Sequence, residues 1–144
     1  MPFNYFQLSE NFTLDEFTKS KTALELGIDN IPNSYANYNL KMLAIMVLQK
    51  VRNRFGPVKI TSGYRSLELN RAIKSKDTSQ HITGNAADFK VPGKSNLEVA
   101  QWIRQNLMFD QLLLEPSWIH VSYVQQGNRM ECLKTLDGVN FHKW

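Results

Sequence analysis

Apolar residues recur at helical spacing in one long stretch: Leu40, Leu43, Ala44, Val47, Leu48, Val51 and Phe55 follow one another at three and four. That period places them on one face of a helix running from about Tyr35, and Gly56-Pro57 ends it. Upstream the signals are shorter. Thr13-Leu14-Asp15-Glu16 has the form of a capping box, in which a hydroxyl and a carboxylate satisfy free N–H groups of the first turn. It predicts a short helix to about Lys19. Ser20 can cap a second, Lys21 to Leu26, stopped by Gly27, and Ile31-Pro32-Asn33 reads as a turn. After Pro57 the period changes. Val58 to Thr61, Ala86 to Val91, Gln111 to Leu114 and Trp118 to Tyr123 are short, apolar and turn-bounded, and read as strands. Ser66 is placed to cap a helix to about Lys74. Ser95-Asn96-Leu97-Glu98 opens another to about Leu107, with Leu97, Ala100, Ile103 and Leu107 facing inward. Arg129 to Leu136 and Val139 to Phe141 flank Asp137-Gly138, a hairpin signal.

Helices come first, and strands with helices between them follow. The short spacing of the later strands favours antiparallel pairing. The expected fold is α+β: a small antiparallel sheet with helices packed on it. A length of 144 residues suits one domain with one core, residues 1–144, its helical part about 11–56 and its sheet-containing part about 57–144. Hydrophobic residues make up 42% of the chain, ample for a packed interior, and the 21% charged content argues against disorder. The net charge of +4 favours anionic partners, among them nucleic acid, anionic lipid and anionic bacterial wall polymers. The lysines and arginines are scattered, so the basic charge reads as solvated surface and no nucleic-acid partner is expected. The longest apolar run, Met42 to Leu48, is too short to span a bilayer. Met1 to Phe12 has no basic flank followed by an apolar block, so no signal peptide is expected. A substrate outside the cytoplasm then requires release or delivery by another protein. Cys132 has no thiol partner and reads as a buried small hydrophobe.

Chemistry concentrates in Ser79-Gln80-His81-Ile82-Thr83-Gly84-Asn85-Ala86-Ala87-Asp88. Gly84 lets the chain turn from a loop bearing His81 into a strand bearing Asp88. A carboxylate inside an apolar strand is costly unless paired or metal-bound. In Trp118-Ile119-His120-Val121-Ser122, strand alternation puts His120 on the face opposite Ile119 and Val121. Two imidazoles and one carboxylate make the three ligands of a catalytic zinc site, which keeps its fourth position open. Iron oxygenases use the same donors, but with His and Asp or Glu one residue apart, whereas six intervene here. Glu115, five residues before His120, is the candidate general base; Asp110 sits at the far end of that strand. Arg65, in a turn after a strand, is the candidate for holding an oxyanion or a substrate carboxylate. His142 reads as surface.

Together Ser62-Gly63-Tyr64-Arg65-Ser66, Leu69-Asn70, Ser79 to Asp88, Phe109-Asp110-Gln111-Leu112 and Trp118 to Ser122 resemble the zinc D-Ala-D-Ala carboxypeptidase and L-Ala-D-Glu peptidase family. The likeness is to its small stand-alone branch, common in phage lysins and related wall peptidases. Asn11-Phe12-Thr13-Leu14-Asp15-Glu16-Phe17 matches that branch too, so the resemblance runs from about Asn11 to Tyr123. It implies one zinc ion per chain held by His81, Asp88 and His120. It implies Arg65 at the substrate, with Tyr64, Ser79 and Gln80 as further candidates for substrate contact. It implies hydrolysis of a peptide bond in the stem or cross-link of bacterial peptidoglycan, by a protein expected to be a monomer. Two features depart from relatives. Lys76-Asp77-Thr78 stands where many carry a Gly-Gly pair, which puts specificity at that loop. Ser117 stands where dipeptidase-like relatives carry a carboxylate three residues before the second histidine, which moves the base role to Glu115. The competing reading is a metal-stabilised wall-binding module without catalysis.

Overall fold

Short polar side chains set where the helices begin. In the computed structural model, which describes residues 5–144, each predicted cap is in place. The first four residues, part of the stretch read for a leader, lie outside the described ones. Glu16 reaches back to the Thr13 N–H at 3.1 Å and starts α1, Leu14–Thr18. Ser20 Oγ accepts the Ala23 N–H and starts α2, Lys21–Leu26, which Gly27 ends in the left-handed conformation. Asn33 Oδ1 accepts the Ala36 N–H and starts α3, Ser34–Leu43. A π turn, Ala44–Leu48, joins α3 to α4, Gln49–Phe55. The helix predicted as one run is therefore continuous but carries a wider turn in its middle. Its apolar stripe, Leu40 through Val51, is fully buried.

The strands are β1 (Gln7–Ser9), β2 (Phe12–Thr13), β3 (Lys59–Ser62), β4 (Ala86–Lys90), β5 (Gln111–Leu114), β6 (Ile119–Ser122), β7 (Glu131–Lys134) and β8 (His142–Lys143). The first two form a small antiparallel ribbon; the other six form one sheet in the order β3-β4-β6-β5-β7-β8. Two further helices, α5 (Leu67–Ala72) and α6 (Asn96–Asn106), start at Ser66 and Ser95, whose hydroxyls accept N–H groups three residues on. The result is the expected α+β architecture. One core draws on both halves of the chain, from Phe12 and Phe17 through Leu43 and Val47 to Phe89, Ile119 and Val121.

Three details differ from the pattern-based expectation. The sheet is mixed, because β7 pairs with β5 in parallel. The return strand β6 brings the chain back to the start of β5, where the Met130 and Glu131 N–H groups bond the carbonyls of Phe109 and Asp110. Strand β7 therefore sets off from the same end as β5. On α6, Leu97 is 46% exposed while Val99, Ala100 and Ile103 are buried. Those three centre the inward stripe, and Leu97 falls roughly 100° away from it at 100° per residue. The Asp137-Gly138 hairpin forms, but its second strand begins at His142 and not at Val139. Asp137 Oδ1 accepts the N–H groups of Val139 and Asn140 and so holds those residues in the turn.

Candidate metal centre

Strand pairing brings two of the predicted ligands together. In the antiparallel pair β4–β6, Asp88 lies directly opposite His120, on one face of the sheet. The neighbouring residues Ala87, Phe89, Ile119 and Val121 point the other way and are fully buried in the core. On the other side of β4, Asp88 pairs with Ser62 at a bulge in β3, and the chain turns at once into Gly63-Tyr64-Arg65.

The third ligand arrives on a loop that is locked to that turn. His81 Nδ1 donates to the Gly63 carbonyl at 2.7 Å, and the Arg65 N–H donates to the His81 carbonyl at 3.1 Å. The first bond fixes the tautomer, with the proton on Nδ1 and a lone pair on Nε2. Gly63 has no room for a side chain, since a Cβ there would sit 2.5 Å from the Phe17 carbonyl oxygen. Gly84, at φ +77°, closes the His81 loop against α3, where a Cβ would meet the Ala36 carbonyl at 2.3 Å. Asn39 on α3 donates to the Thr83 carbonyl, and Asn85 bonds the Tyr123 carbonyl beyond β6.

The donor atoms converge. Asp88 Oδ1 is 2.9 Å from His120 Nδ1 and 3.5 Å from His81 Nε2, and the three donor atoms all lie within 4.8 Å of one another. Ligands about 2.0–2.1 Å from one tetrahedral ion stand roughly 3.4 Å apart, so the set fits a zinc ion. Burial opposes the Asp88 charge, but the imidazoles beside it, above all the hydrogen bond from His120 Nδ1, outweigh it and hold the carboxyl well below the usual carboxylate range. Burial pushes His81 down, against the pull of Asp88, and keeps it neutral. An ionised carboxylate and a neutral imidazole with a free lone pair are the forms that bind metal.

Two more predicted residues stand within electrostatic reach. Burial pushes the Glu115 carboxyl up, the Asp88 charge adds to that, and His120 pulls the other way. Burial weakens the Arg65 charge, which Asp88 supports, and the buried Arg65 Nε has no hydrogen-bond partner. An unpaired donor of this kind is costly and is expected to meet an acceptor in the working state.

The remaining predicted residues have structural partners. The Ser79 hydroxyl accepts the His81 N–H at 3.3 Å. Gln80 Nε2 donates to Asp110 Oδ2, and Asp110 also holds Arg129 through two side-chain bonds. Asp110 is thus occupied with tying the His81 loop to the start of β5 and β7. Tyr64 is half-buried against the core, and its N–H bonds the Phe17 carbonyl. Lys76-Asp77 is fastened to α5 by the Arg71–Asp77 ion pair and the bond from Asn70 to the Lys76 carbonyl. His142 is exposed on the edge strand, and Cys132 is half-buried.

One residue that sequence reasoning passed over matters here. Asn30 Nδ2 donates to the Thr18 and Tyr64 carbonyls at 3.0 and 2.9 Å, and its Oδ1 accepts the Ser66 N–H at 2.8 Å. It therefore grips the chain on both sides of Arg65. Its position before Ile31-Pro32 gave only a turn signal.

The sequence model of the Peptidase M15 family matches residues 10–122. The chain belongs to that family. Its members are zinc-dependent peptidases, so zinc is the metal the His-Asp-His group is built for. The matched span ends at the last residue of β6 and includes every candidate site residue. No curated protein matches the chain significantly. No helix among the described residues is long and apolar enough to cross a membrane.

Proposed function

We propose that this Peptidase M15 member hydrolyses a peptide bond in the stem or cross-link of bacterial peptidoglycan, beside a D-amino acid. The observation that carries the reading is the meeting of His81 Nε2 and His120 Nδ1 on one Asp88 oxygen, at 3.5 and 2.9 Å, in a chain of this family. In this reading His81, Asp88 and His120 hold one zinc ion. Bound zinc would supply a Lewis acid for the scissile carbonyl and lower the pKa of a water toward about 7.

The chain's own groups do the rest. Glu115, with a carboxyl pushed up by burial, takes a proton from the attacking water and returns it to the leaving amine. Arg65 puts positive charge where the oxyanion develops, or holds a substrate carboxylate. Tyr64 and Ser79 flank these groups. Gln80 can offer substrate its amide oxygen, since its nitrogen is held by Asp110. The protein acts as a monomer at the cell wall, after release or delivery by another protein.

The test is to incubate zinc-loaded protein with purified peptidoglycan and follow new amino groups, with mass spectrometry of the products. Release of peptides, stopped by a chelator and restored by zinc, is expected. Wall binding with no new amino groups, unaffected by the chelator, overturns the reading in favour of a non-catalytic wall-binding module.

A further inference from the structure

A groove of about 330 Å³ opens beside Arg65. It is lined by Lys19 and Lys21 at the junction between α1 and α2, by Ser62 and Arg65 at the end of β3 and the following turn, and by Leu69 of α5 and Ile73 just past its end. Lys19 and Lys21 take no part in the function proposed above. Two of the lining residues neighbour the metal centre. Ser62 is the strand partner of Asp88, and Arg65 feels the Asp88 charge. Three cations line this space and no carboxylate does. Glu25 stands 3.9 Å from the exposed Lys21 ammonium, and Asp88 pairs with Ser62, but both lie outside the lining. Hydroxyls of Thr22 and Thr61 add neutral hydrogen-bonding groups, and the aliphatic Leu69 and Ile73 suit a small alkyl side chain.

We propose that this groove is the specificity subsite of the enzyme, taking a free carboxylate borne by a small aliphatic or acidic residue of the substrate peptide, with Lys19 and Lys21 as its determinants. This rests on the peptidase reading, and it adds a direction: the substrate lies from the metal toward α1–α2, with its carboxylate past Arg65. Both lysines are exposed, so each contributes the few-fold effect of a solvated ion pair, and their effect is on binding and not on the chemical step.

The test uses dye-labelled Lys-D-Ala-D-Ala and L-Ala-D-Glu, each as the free acid and as the amide, bound to zinc-loaded protein and read by fluorescence anisotropy. Wild type is expected to bind one of the acids about tenfold more tightly than its amide. The Lys19→Ala/Lys21→Ala protein is expected to keep its zinc and its affinity for the amide while the preference falls to about threefold or less. The control Lys94→Ala/Lys134→Ala, which removes the same charge elsewhere, keeps the full preference. Four results overturn the proposal: no acid binds, acid and amide bind wild type alike, the preference survives loss of both groove lysines, or the control loses it equally. Binding is read apart from cleavage. A protein that prefers the acids yet hydrolyses nothing overturns the peptidase reading and leaves the subsite standing.

Discussion

The middle of the sheet and its far edge are built by opposite means. At β4–β6 the Asp88 and His120 side chains rise from strands whose other face is fully buried, and His81 is cross-bonded to the β3 turn. Around them Gly63 and Gly84 admit no side chain because neighbouring backbone already fills the space. At β7–β8 the pairing covers two residues of the edge strand, and Leu136 and Val139 at the hairpin tip are 94% and 76% exposed. The family match stops where β6 ends. The difference teaches that the three residues able to hold a metal sit on the inner strands and the loop before β4, while the outer pair covers the open edge of β5.

The sharpest break of that comparison is loss of a ligand. Asp88→Ala leaves two imidazoles, one of them neutral and buried, with no carboxylate to share. We expect zinc content near zero and no hydrolysis, with metal affinity reduced well beyond the 10–100-fold typical of supporting residues. Stoichiometric zinc in the purified variant would show that the central group is not the metal site.

Next in size is Glu115→Gln. Zinc content and unfolding temperature should match wild type, while kcat falls by about 10²–10⁴. The sign of the pH effect follows from the raised carboxyl. A base works when deprotonated, and burial holds Glu115 protonated to higher pH than an ordinary glutamate. Activity should therefore fall as pH drops through a value above the usual glutamate range. That limb should vanish in the residual rate of Glu115→Gln. An unchanged acid limb assigns it to another group.

Asn30→Ala comes third. It removes three bonds around Arg65 and none at the zinc ligands. A displaced Arg65 should cost about tenfold in kcat/KM with zinc retained. Asn30→Asp, which keeps the acceptor for the Ser66 N–H, should recover part of it. Equal losses in both variants, tracking unfolding temperature, would mark Asn30 as structural only.

What could be read in advance divides along physical lines. His81, Asp88 and His120 were legible because their chemistry is in the side chains, and strand alternation fixes which way His120 points. The caps at Thr13, Ser20, Ser66 and Ser95 were legible because each acts on its own next turn. Asn30 and the Gly63 carbonyl were not: one looks like any turn asparagine, and the other is backbone, which carries no sequence mark. The parallel course of β7 depends on where the loop after β6 returns, and local periodicity does not encode that. Leu97 failed for a related reason. Four apolar residues near one helix start allow two stripes, and packing against the sheet chose the one centred on Val99, Ala100 and Ile103.

The smallest effect is expected at the hairpin tip, and it probes the comparison from the other side. Leu136 and Val139 touch little, so Leu136→Ser/Val139→Ser should shift unfolding free energy by no more than about 0.5 kcal/mol. Zinc content and release of amino groups from peptidoglycan should be unchanged. The tip must be distinguished from the base of the same strand pair. There Arg129 holds Asp110, which also accepts from Gln80 beside His81, so Arg129→Ala reaches the His81 loop and the tip variant does not. Wall digestion that drops in the tip variant, with stability intact, would mean the outer strands touch the substrate wall. The division between an inner site and a covering edge would then fail.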